Sequence, residues 1–360
     1  MLKGELTVAT TLLLVVFATC GRTQESSRQF RYSFAVIDDA TRLNALTAPI
    51  PKFQNEVLLE PALSFRIDTR WSLVSSLVGV ADTHGDTHTK LRVKETYAGL
   101  SAGDFDFTAG RRIVRWGTGY AFSAAGVLDP PRNPTDPTDR LNLNVGRDMV
   151  KADWVRGPHA LSAVWSSAVL SQNPTTDYAN HDTTAFRYNV LVRGFDTSLI
   201  AGKDRGGDSF GGLTFTRVLG DAWEIHGEAM WREQAALLMG AKFTTKSGIT
   251  FIGEFFTPPN IPAYNEASIL PLTGRQHEAF LGMSKTRLRE LPGWKQWDLA
   301  GSVVANLNDR SFTFVLDAER RFGNHFSTYL HLEAPQGNKT SQYGATPYTT
   351  SSSAGIRFQL

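Results

Sequence analysis

The charged residues that could do chemistry gather in one long link of this chain. Residues 116–148 alternate acidic and basic side chains, and four prolines stiffen the segment. A link of that length without regular structure is usually functional in a compact protein. Its chemistry would be electrostatic, because carboxylates and guanidinium groups in alternation act on charged solutes. The residues concerned are Asp129, Arg132, Asp136, Asp139 and Arg140.

A metal site is the second chemical possibility. Glu224, His226 and Glu228 share one face of a period-two segment, and both residue types can bind metal ions. In an extended strand, however, they spread over about 13 Å, which is too far for one ion. His84 and His88 could chelate a metal ion weakly in an outer loop, but their sequence context favours a polar turn. We therefore predict no metal and no cofactor.

An enzyme site is the third possibility. Ser166, His159 and His331 are the side-chain types of a hydrolase, but their spacing does not link them. The sequence has no nucleophile elbow, no phosphate-binding loop and no dinucleotide-binding glycine motif. We do not expect an enzyme, and a barrel hydrolase stays a minor alternative.

Composition excludes other classes. The 37 Lys and Arg residues against 35 Asp and Glu leave a net charge of +2, so no basic footprint for nucleic acid is expected. With 22 Phe, 9 Tyr and 8 Trp, the chain carries far more apolar surface than a disordered chain. The mean hydropathy is only −0.22.

The N-terminus has the pattern of a secretory signal peptide. Lys3 precedes an apolar run at 12–18, and small or polar residues follow. We predict a signal peptide over residues 1–22 and one domain over residues 23–360. Cys20, the single cysteine, could instead be a lipidated first residue.

The rest of the chain has the two-residue period of strands. In residues 56–68, for example, Val57, Leu59 and Phe65 alternate with Glu56, Glu60 and Arg66. We count about eighteen such segments, although sixteen remains possible. They lie near 30–39, 56–69, 71–81, 90–102, 105–115, 149–156, 159–169, 185–193, 196–203, 209–219, 223–232, 236–245, 249–256, 276–287, 297–307, 311–321, 326–332 and 352–360.

The links between these segments alternate in length. Long polar links, such as 40–55, 116–148 and 257–275, alternate along the chain with tight turns, such as 103–104 and 193–194. That alternation is typical of a transmembrane antiparallel up-and-down barrel in an outer membrane. Aromatic residues stand beside the tight turns and would form a ring at one membrane interface. They are Trp71, Phe105, Phe195, Trp223, Trp297 and Phe326.

With these features the chain resembles the porin-like outer-membrane β-barrels of Gram-negative bacteria. The segment 95–139 is similar to a hairpin of many uncharacterised barrels, with the pattern G-R-x-x-x-x-W-G-x-G-Y followed by N-P and D-P. The final strand, SSSAGIRFQL, has Ile356, Phe358 and Leu360 on one face. The resemblance implies that barrel-assembly machinery recognises this strand.

The resemblance also suggests where a pore would narrow. In general porins an early long loop folds into the barrel. By analogy, Asp129, Asp136 and Asp139 would face basic residues of the adjoining strand across a constriction. Those basic residues are Arg111, Arg112 and Arg115. Further lumen charges expected from the strand faces are Arg66, Arg187, Glu224, Glu228 and Arg357.

The expected function is passive diffusion of small hydrophilic solutes through the outer membrane of a Gram-negative bacterium. Its partners would be outer-membrane lipid, the assembly machinery, solutes and, in an oligomer, further copies of the chain. A scaffold that binds or exports a surface polysaccharide is the alternative. Both signs of charge occur in the lumen, so strong ion selectivity is not expected.

Overall fold

The alternating segments form one sheet that closes on itself. The computed structural model describes residues 29–45, 52–66, 68, 70–82, 89–167, 182–204, 207, 209–258, 276–288 and 295–360. The predicted signal peptide lies outside these residues. Within them, regular structure is all β. None of the described segments is a helix with the length and apolarity needed to cross a membrane.

Eighteen strands make up the sheet, as the alternation predicts, and the count of sixteen is wrong. They are β1 (Gln29–Ala45), β2 (Phe53–Arg66), β3 (Trp71–Asp82), β4 (Thr89–Ala102), β5 (Phe105–Arg112), β6 (Arg147–Arg156), β7 (His159–Ser166), β8 (Thr183–Val192), β9 (Phe195–Asp204), β10 (Ser209–Leu219), β11 (Trp223–Trp231), β12 (Ala235–Thr244), β13 (Ile249–Thr257), β14 (Glu278–Lys285), β15 (Trp297–Asn306), β16 (Ser311–Phe322), β17 (Phe326–Gln336) and β18 (Tyr348–Gln359).

Each strand pairs antiparallel with its neighbours in the chain, and β1 closes the ring by pairing with β18. Asp38 of β1 lies opposite Val57 of β2 on one side and Ile356 of β18 on the other. A closed barrel leaves no strand edge, so the backbone amides of its strands can all be hydrogen-bonded to neighbouring strands where the barrel crosses the hydrocarbon. Because the strands are in sequence order, β2 and β11 lie on opposite sides of the ring.

The two faces of the wall differ in chemistry. Outward side chains are apolar and exposed, with Leu91, Met239 and Leu281 at 73%, 66% and 66%. Inward side chains are more polar, and Ser198 and Asn306 are fully buried. This is the inside-out pattern of a barrel whose outer surface faces lipid.

Three strands are longer than the sequence pattern predicts by three residues or more: β1, β17 and β18. The pairing of β1 with β18 continues to Leu43 opposite Ser351 and Ala45 opposite Tyr348. The residues added to β18 are Tyr348 followed by two Thr and one Ser, which have no apolar alternation to reveal them. Backbone pairing across the closure therefore extends β1 and β18 beyond the hydrophobic signal, and pairing with β16 extends β17.

The predicted aromatic ring occupies one end of the barrel. All six of its residues are the first residues of their strands; five follow a short link, and Trp297 follows the longer link 286–296. Trp71, Phe105 and Trp223 are 47%, 46% and 50% exposed on the outward face. The ring thus marks the end of the barrel that carries the short turns.

Candidate functional site

The link between β5 and β6, residues 113–146, folds into the barrel, and we call it the inner loop. Its side chains Trp116, Phe122 and Leu128 are buried, at 3%, 4% and 1% exposure. They pack on inward apolar residues of the wall, including Met149 and Ile200. Apolar residues of a link can be buried inside a wide barrel only if the link lies there. The inner loop thus fills space that eighteen strands leave open.

Glu228 of β11 binds the inner loop through its backbone. One carboxylate oxygen, Oε1, accepts the N–H groups of Thr118 and Gly119, the latter at 2.8 Å. The other oxygen, Oε2, accepts the N–H groups of Ala124 and Ala125 at 2.6 and 2.7 Å. Glu228 is 4% exposed, so this charge is stabilised by the loop amides and not by water.

Glu254 of β13 continues the same arrangement. Its carboxylate accepts the N–H groups of Tyr120, Ala121 and Phe122, the last two at 2.9 and 3.1 Å. His226 Nε2 lies 2.9 Å from Glu254 Oε1. The two glutamates together bind seven amides between positions 118 and 125. That stretch of loop is fixed against the wall by charge-assisted hydrogen bonds.

Gly240 of β12 provides the space for the contact between His226 and Glu254. It lies between them in the register of the sheet. A Cβ atom at this position would lie 2.3 Å from His226 Nε2 and 2.9 Å from Glu254 Cγ. A larger residue would therefore displace the imidazole.

The second half of the inner loop binds the other side of the barrel. Arg140 Nη1 donates to Asp39 of β1 at 2.9 Å, and Tyr329 of β17 donates its hydroxyl to the same oxygen at 2.6 Å. Arg357 of β18 donates to the carbonyl oxygen of Arg140. Asp39 is 4% exposed, so the ion pair is buried.

A neighbouring contact lies on β2 and β4. The Asn142 amide donates to both oxygens of Glu60, at 2.9 and 2.8 Å. Lys94 Nζ donates to Glu60 at 2.9 Å and to the Asn142 carbonyl at 3.0 Å. Since β2 lies opposite β11, the inner loop is attached to facing walls and crosses the lumen.

Asp129 organises the inner loop from within. It accepts the N–H groups of Trp116 at 2.6 Å and of Gly117 at 3.1 Å, and it lies 3.8 Å from Arg132. Burial raises the pKa of Asp129 to about 6, while the two amide hydrogen bonds and Arg132 act in the opposite direction. Arg132 also donates to the carbonyl oxygens of Tyr120 and Gly117.

The other two predicted loop carboxylates stabilise turns. Asp136 accepts the N–H of Arg140 at 3.2 Å, and its carboxylate lies 3.7 Å from Arg140 Nε. Asp139 has a φ of 50° and accepts the N–H of Leu143 at 3.0 Å. In their described contacts, these acidic residues bind the inner loop itself and not the strand arginines that the sequence suggested.

The arginines of β5 are divided between the two faces of the wall, which corrects one prediction. Arg111 shares the outward face with Phe105 and Phe107, and its Nη2 lies 2.6 Å from Asp148. It is therefore not a lumen residue. Strand alternation decides this, because positions one apart project to opposite sides. Arg112 points inward and donates to Thr108 at 2.9 Å, and Arg115, in the inner loop, is exposed.

The remaining predicted lumen residues all project inward. Arg187 donates to Ser198 at 2.9 Å, and Arg66 is exposed at the short-turn end. Glu224 accepts the Tyr120 hydroxyl at 2.8 Å. Arg357 lies 3.8 Å from Glu319, and their side chains are 25% and 28% exposed. Charges of both signs thus line the part of the lumen that the inner loop leaves accessible.

A second link also enters the barrel. In residues 337–347, between β17 and β18, Gln342 donates to Glu278 at 2.8 Å and accepts from Asn306 at 2.6 Å. Tyr343 is 8% exposed and packs with the apolar residues of the inner loop. This link was not among the sequence-based candidates.

The hydrolase candidates do not converge. His159 and Ser166 lie at opposite ends and on opposite faces of β7. His159 Nδ1 is 2.7 Å from the Tyr188 hydroxyl on the outward face. His331 lies on β17, 2.7 Å from Asp317. Over the described part of the chain, no group of three or more metal-binding side chains was found.

The sequence missed most residues that bind the inner loop to the wall. Glu254 and Asp39 are buried and Tyr329 is half-buried, and all three bind the loop. In the sequence, however, each is a single polar residue on an alternating strand, and nothing distinguishes it from other residues that face the lumen. His226 was considered only as a metal ligand, and Glu228 was predicted as a lumen charge but not as a partner of the loop. The sequence pattern predicted which strand residues face the lumen. It did not predict which of them bind the inner loop.

Comparison with solved structures finds barrels of bacterial porins and related channels. OccK3 of Pseudomonas aeruginosa matches with a TM-score of 0.61 and 8% identity, over 92% of this chain and 96% of that one. OccK5 of the same organism gives 0.60 and 9%, over 92% and 98%. A mutant of the Rh. blastica porin gives 0.53 and 7%, over 92% and 100%. No family model and no curated protein matches. The chain therefore has a porin-like barrel fold.

Proposed function

We propose that this protein is a channel of the Gram-negative outer membrane that lets small hydrophilic solutes diffuse passively. The observation that carries the proposal is the inner loop, which is bound to facing walls of a closed barrel by Glu228 on one side and Asp39 on the other. A loop in this position narrows the lumen to a defined cross-section. The exposed apolar outer face supports a membrane location.

Solutes would pass between the inner loop and the wall that it leaves uncovered. The inward groups accessible there include Lys242, Asp317 and Arg357, with side chains 33%, 41% and 25% exposed. Because positive and negative side chains both line this path, we expect solutes of either charge to pass without strong ion selectivity. Arg112, beside the loop, and Arg115, within it, would add positive charge. Passage needs no covalent step and no energy source.

The test is single-channel conductance of the detergent-refolded protein in a planar bilayer. Discrete steps, with a reversal potential close to zero in a KCl gradient, are expected for an open and weakly selective pore. A protein that inserts but stays silent would contradict the proposal.

A scaffold for a surface polysaccharide is the alternative, and the two buried links inside the lumen are what favour it. A polymer-binding barrel would conduct little and would retain polysaccharide on an affinity column. The conductance experiment separates the two functions.

A further inference from the structure

An apolar groove crosses the outer wall between β11 and β16, in the half of the barrel that carries the short turns. Its volume is about 770 Å³, within the range of ~300–1,000 Å³ typical of ligand sites. The groove is bordered by large outward side chains that stand above its floor. They are Trp223, Phe243, Phe251, Leu281, Met283 and Phe314.

Two glycines form the floor of the groove. Gly253 of β13 and Gly301 of β15 occupy outward positions, and neither has a positive φ. A Cβ atom would meet nothing closer than 3.5 Å at Gly253 and 3.8 Å at Gly301. Neither backbone conformation nor close packing in the barrel requires glycine there. A glycine inside a strand weakens it and often marks a place where another molecule approaches the backbone.

Two cations lie outside the lining of the groove, further toward the short-turn end of the barrel. Lys285 follows Met283 by two residues on the outward face of β14. Arg320 lies on the outward face of β16, beyond Leu316 and Phe314. The Arg320 guanidinium carbon is 5.7 Å from the ring centre of Trp297 and 4.7 Å from that of Phe322. This combination of aromatic and basic side chains suits the headgroup level of a membrane.

The charge pattern decides which molecule would fill the groove. Across the described strands, the outward carboxylates are Asp38 on β1 and Asp148 on β6, both on other parts of the wall. A second copy of the chain would therefore present no acidic outward strand residue from this region to Lys285 and Arg320. A phospholipid presents an acyl chain to an apolar groove and a phosphate to two cations.

We propose that the groove is a binding site for one phospholipid of the inner leaflet. The acyl chain lies over Gly253 and Gly301, and the phosphate binds Lys285 and Arg320. The leaflet assignment rests on the proposed outer-membrane location, in which the short turns face the periplasm. The binding site itself is a property of the folded barrel.

Native mass spectrometry of the refolded protein in detergent, with added phosphatidylglycerol, tests this site. Diacylglycerol with the same acyl chains serves as the probe without phosphate. Gly301→Leu fills the groove floor, and Gly211→Leu is the matched control. Gly211 is an outward glycine of β10, where the nearest atom to an added Cβ is 3.9 Å away. The double variant K285Q/R320Q removes the cations and keeps the groove.

We expect the parent protein and Gly211→Leu to retain one phosphatidylglycerol and to bind diacylglycerol at least tenfold more weakly. The affinity of Gly301→Leu for phosphatidylglycerol should be at least tenfold lower than that of the parent protein. K285Q/R320Q should bind phosphatidylglycerol and diacylglycerol with equal affinity. Undiminished binding to Gly301→Leu, or equal binding of both lipids to the parent protein, would overturn the proposal. So would a lipid-free oligomer that Gly301→Leu dissociates, because the groove would then hold a second copy. A barrel that binds lipid without conducting would contradict only the channel function.

Discussion

Glu228 accepts the backbone N–H of Ala125 at 2.7 Å, although one residue belongs to the barrel wall and the other to the inner loop, 103 positions earlier in the chain. The same carboxylate holds Gly119 and Ala124. Through this contact, Glu228 and its neighbour Glu254 hold the segment of the inner loop that narrows the lumen. The loop position is therefore a property of the wall as much as of the loop.

Glu228→Gln should loosen the inner loop without breaking the barrel. A glutamine amide would turn its NH₂ group toward N–H donors, leaving buried amides unpaired at a cost of about 3 kcal/mol. We expect faster proteolysis between residues 113 and 146 and noisier single-channel currents. Glu224→Gln is the control, because that side chain is 23% exposed and accepts the Tyr120 hydroxyl. Equal proteolysis of the two variants would contradict this role of Glu228.

Gly240→Ala should disturb the same attachment from the wall side. The added Cβ would lie 2.3 Å from His226 Nε2 and push the imidazole away from Glu254. Overpacking of this kind costs about 1–3 kcal/mol, which thermal unfolding in detergent can measure. Gly211→Ala, with 3.9 Å of free space, should be close to neutral. If both variants unfold at the same temperature as the parent protein, the contact between His226 and Glu254 does not depend on a glycine at position 240.

The stability of the inner loop should fall as pH rises through about 6. Burial raises the pKa of Asp129 to about 6, above the value of about 3.9 in an unfolded chain. The folded state therefore binds the proton more tightly, so the contribution of Asp129 is fully present below pH ~4 and is lost as pH rises through 6. At neutral pH, the ionised Asp129 therefore lowers the free energy of unfolding by roughly 3 kcal/mol.

Asp129→Asn removes this titration. The variant should gain in unfolding temperature relative to the parent protein between pH 4 and pH 8. A difference between the two proteins that stays constant over that range would show that Asp129 does not change its protonation there.

Arg111 and Arg112 are adjacent in the sequence but should differ in their effect on ions. Arg112→Gln removes a positive charge from the lumen, so the reversal potential in a KCl gradient should move toward cation selectivity. Arg111→Gln changes the outward face beside Asp148 and should leave the reversal potential unchanged. Equal shifts in both variants would contradict the assignment of the two faces.

The barrel was largely predictable from the sequence, and the attachment of the inner loop was not. Two-residue alternation depends on the environment of each face, so it revealed all eighteen strands and the lumen side of Arg187 and Glu228. It also showed the long link, within a few residues of its ends. The alternation failed where Ser and Thr extend β18, since both faces there are polar.

Contacts between the inner loop and the wall depend on which strands face each other across the closed ring. The link to Glu254 joins positions more than 130 residues apart, and no local pattern indicates it. Arg111 shows the reverse case. Its charge suggested the lumen, whereas its position in the alternation with Phe105 and Phe107 places it outside.

We expect the inner loop to set the width of the pore. Replacing residues 117–138 by a short Gly-Ser linker removes the segment held by Glu228 and Glu254 and keeps the eighteen strands. Paired single-channel recordings in the same salt should then show clearly larger conductance steps for the variant than for the parent protein. Equal steps from two folded, inserted proteins would show that the inner loop does not set the pore width.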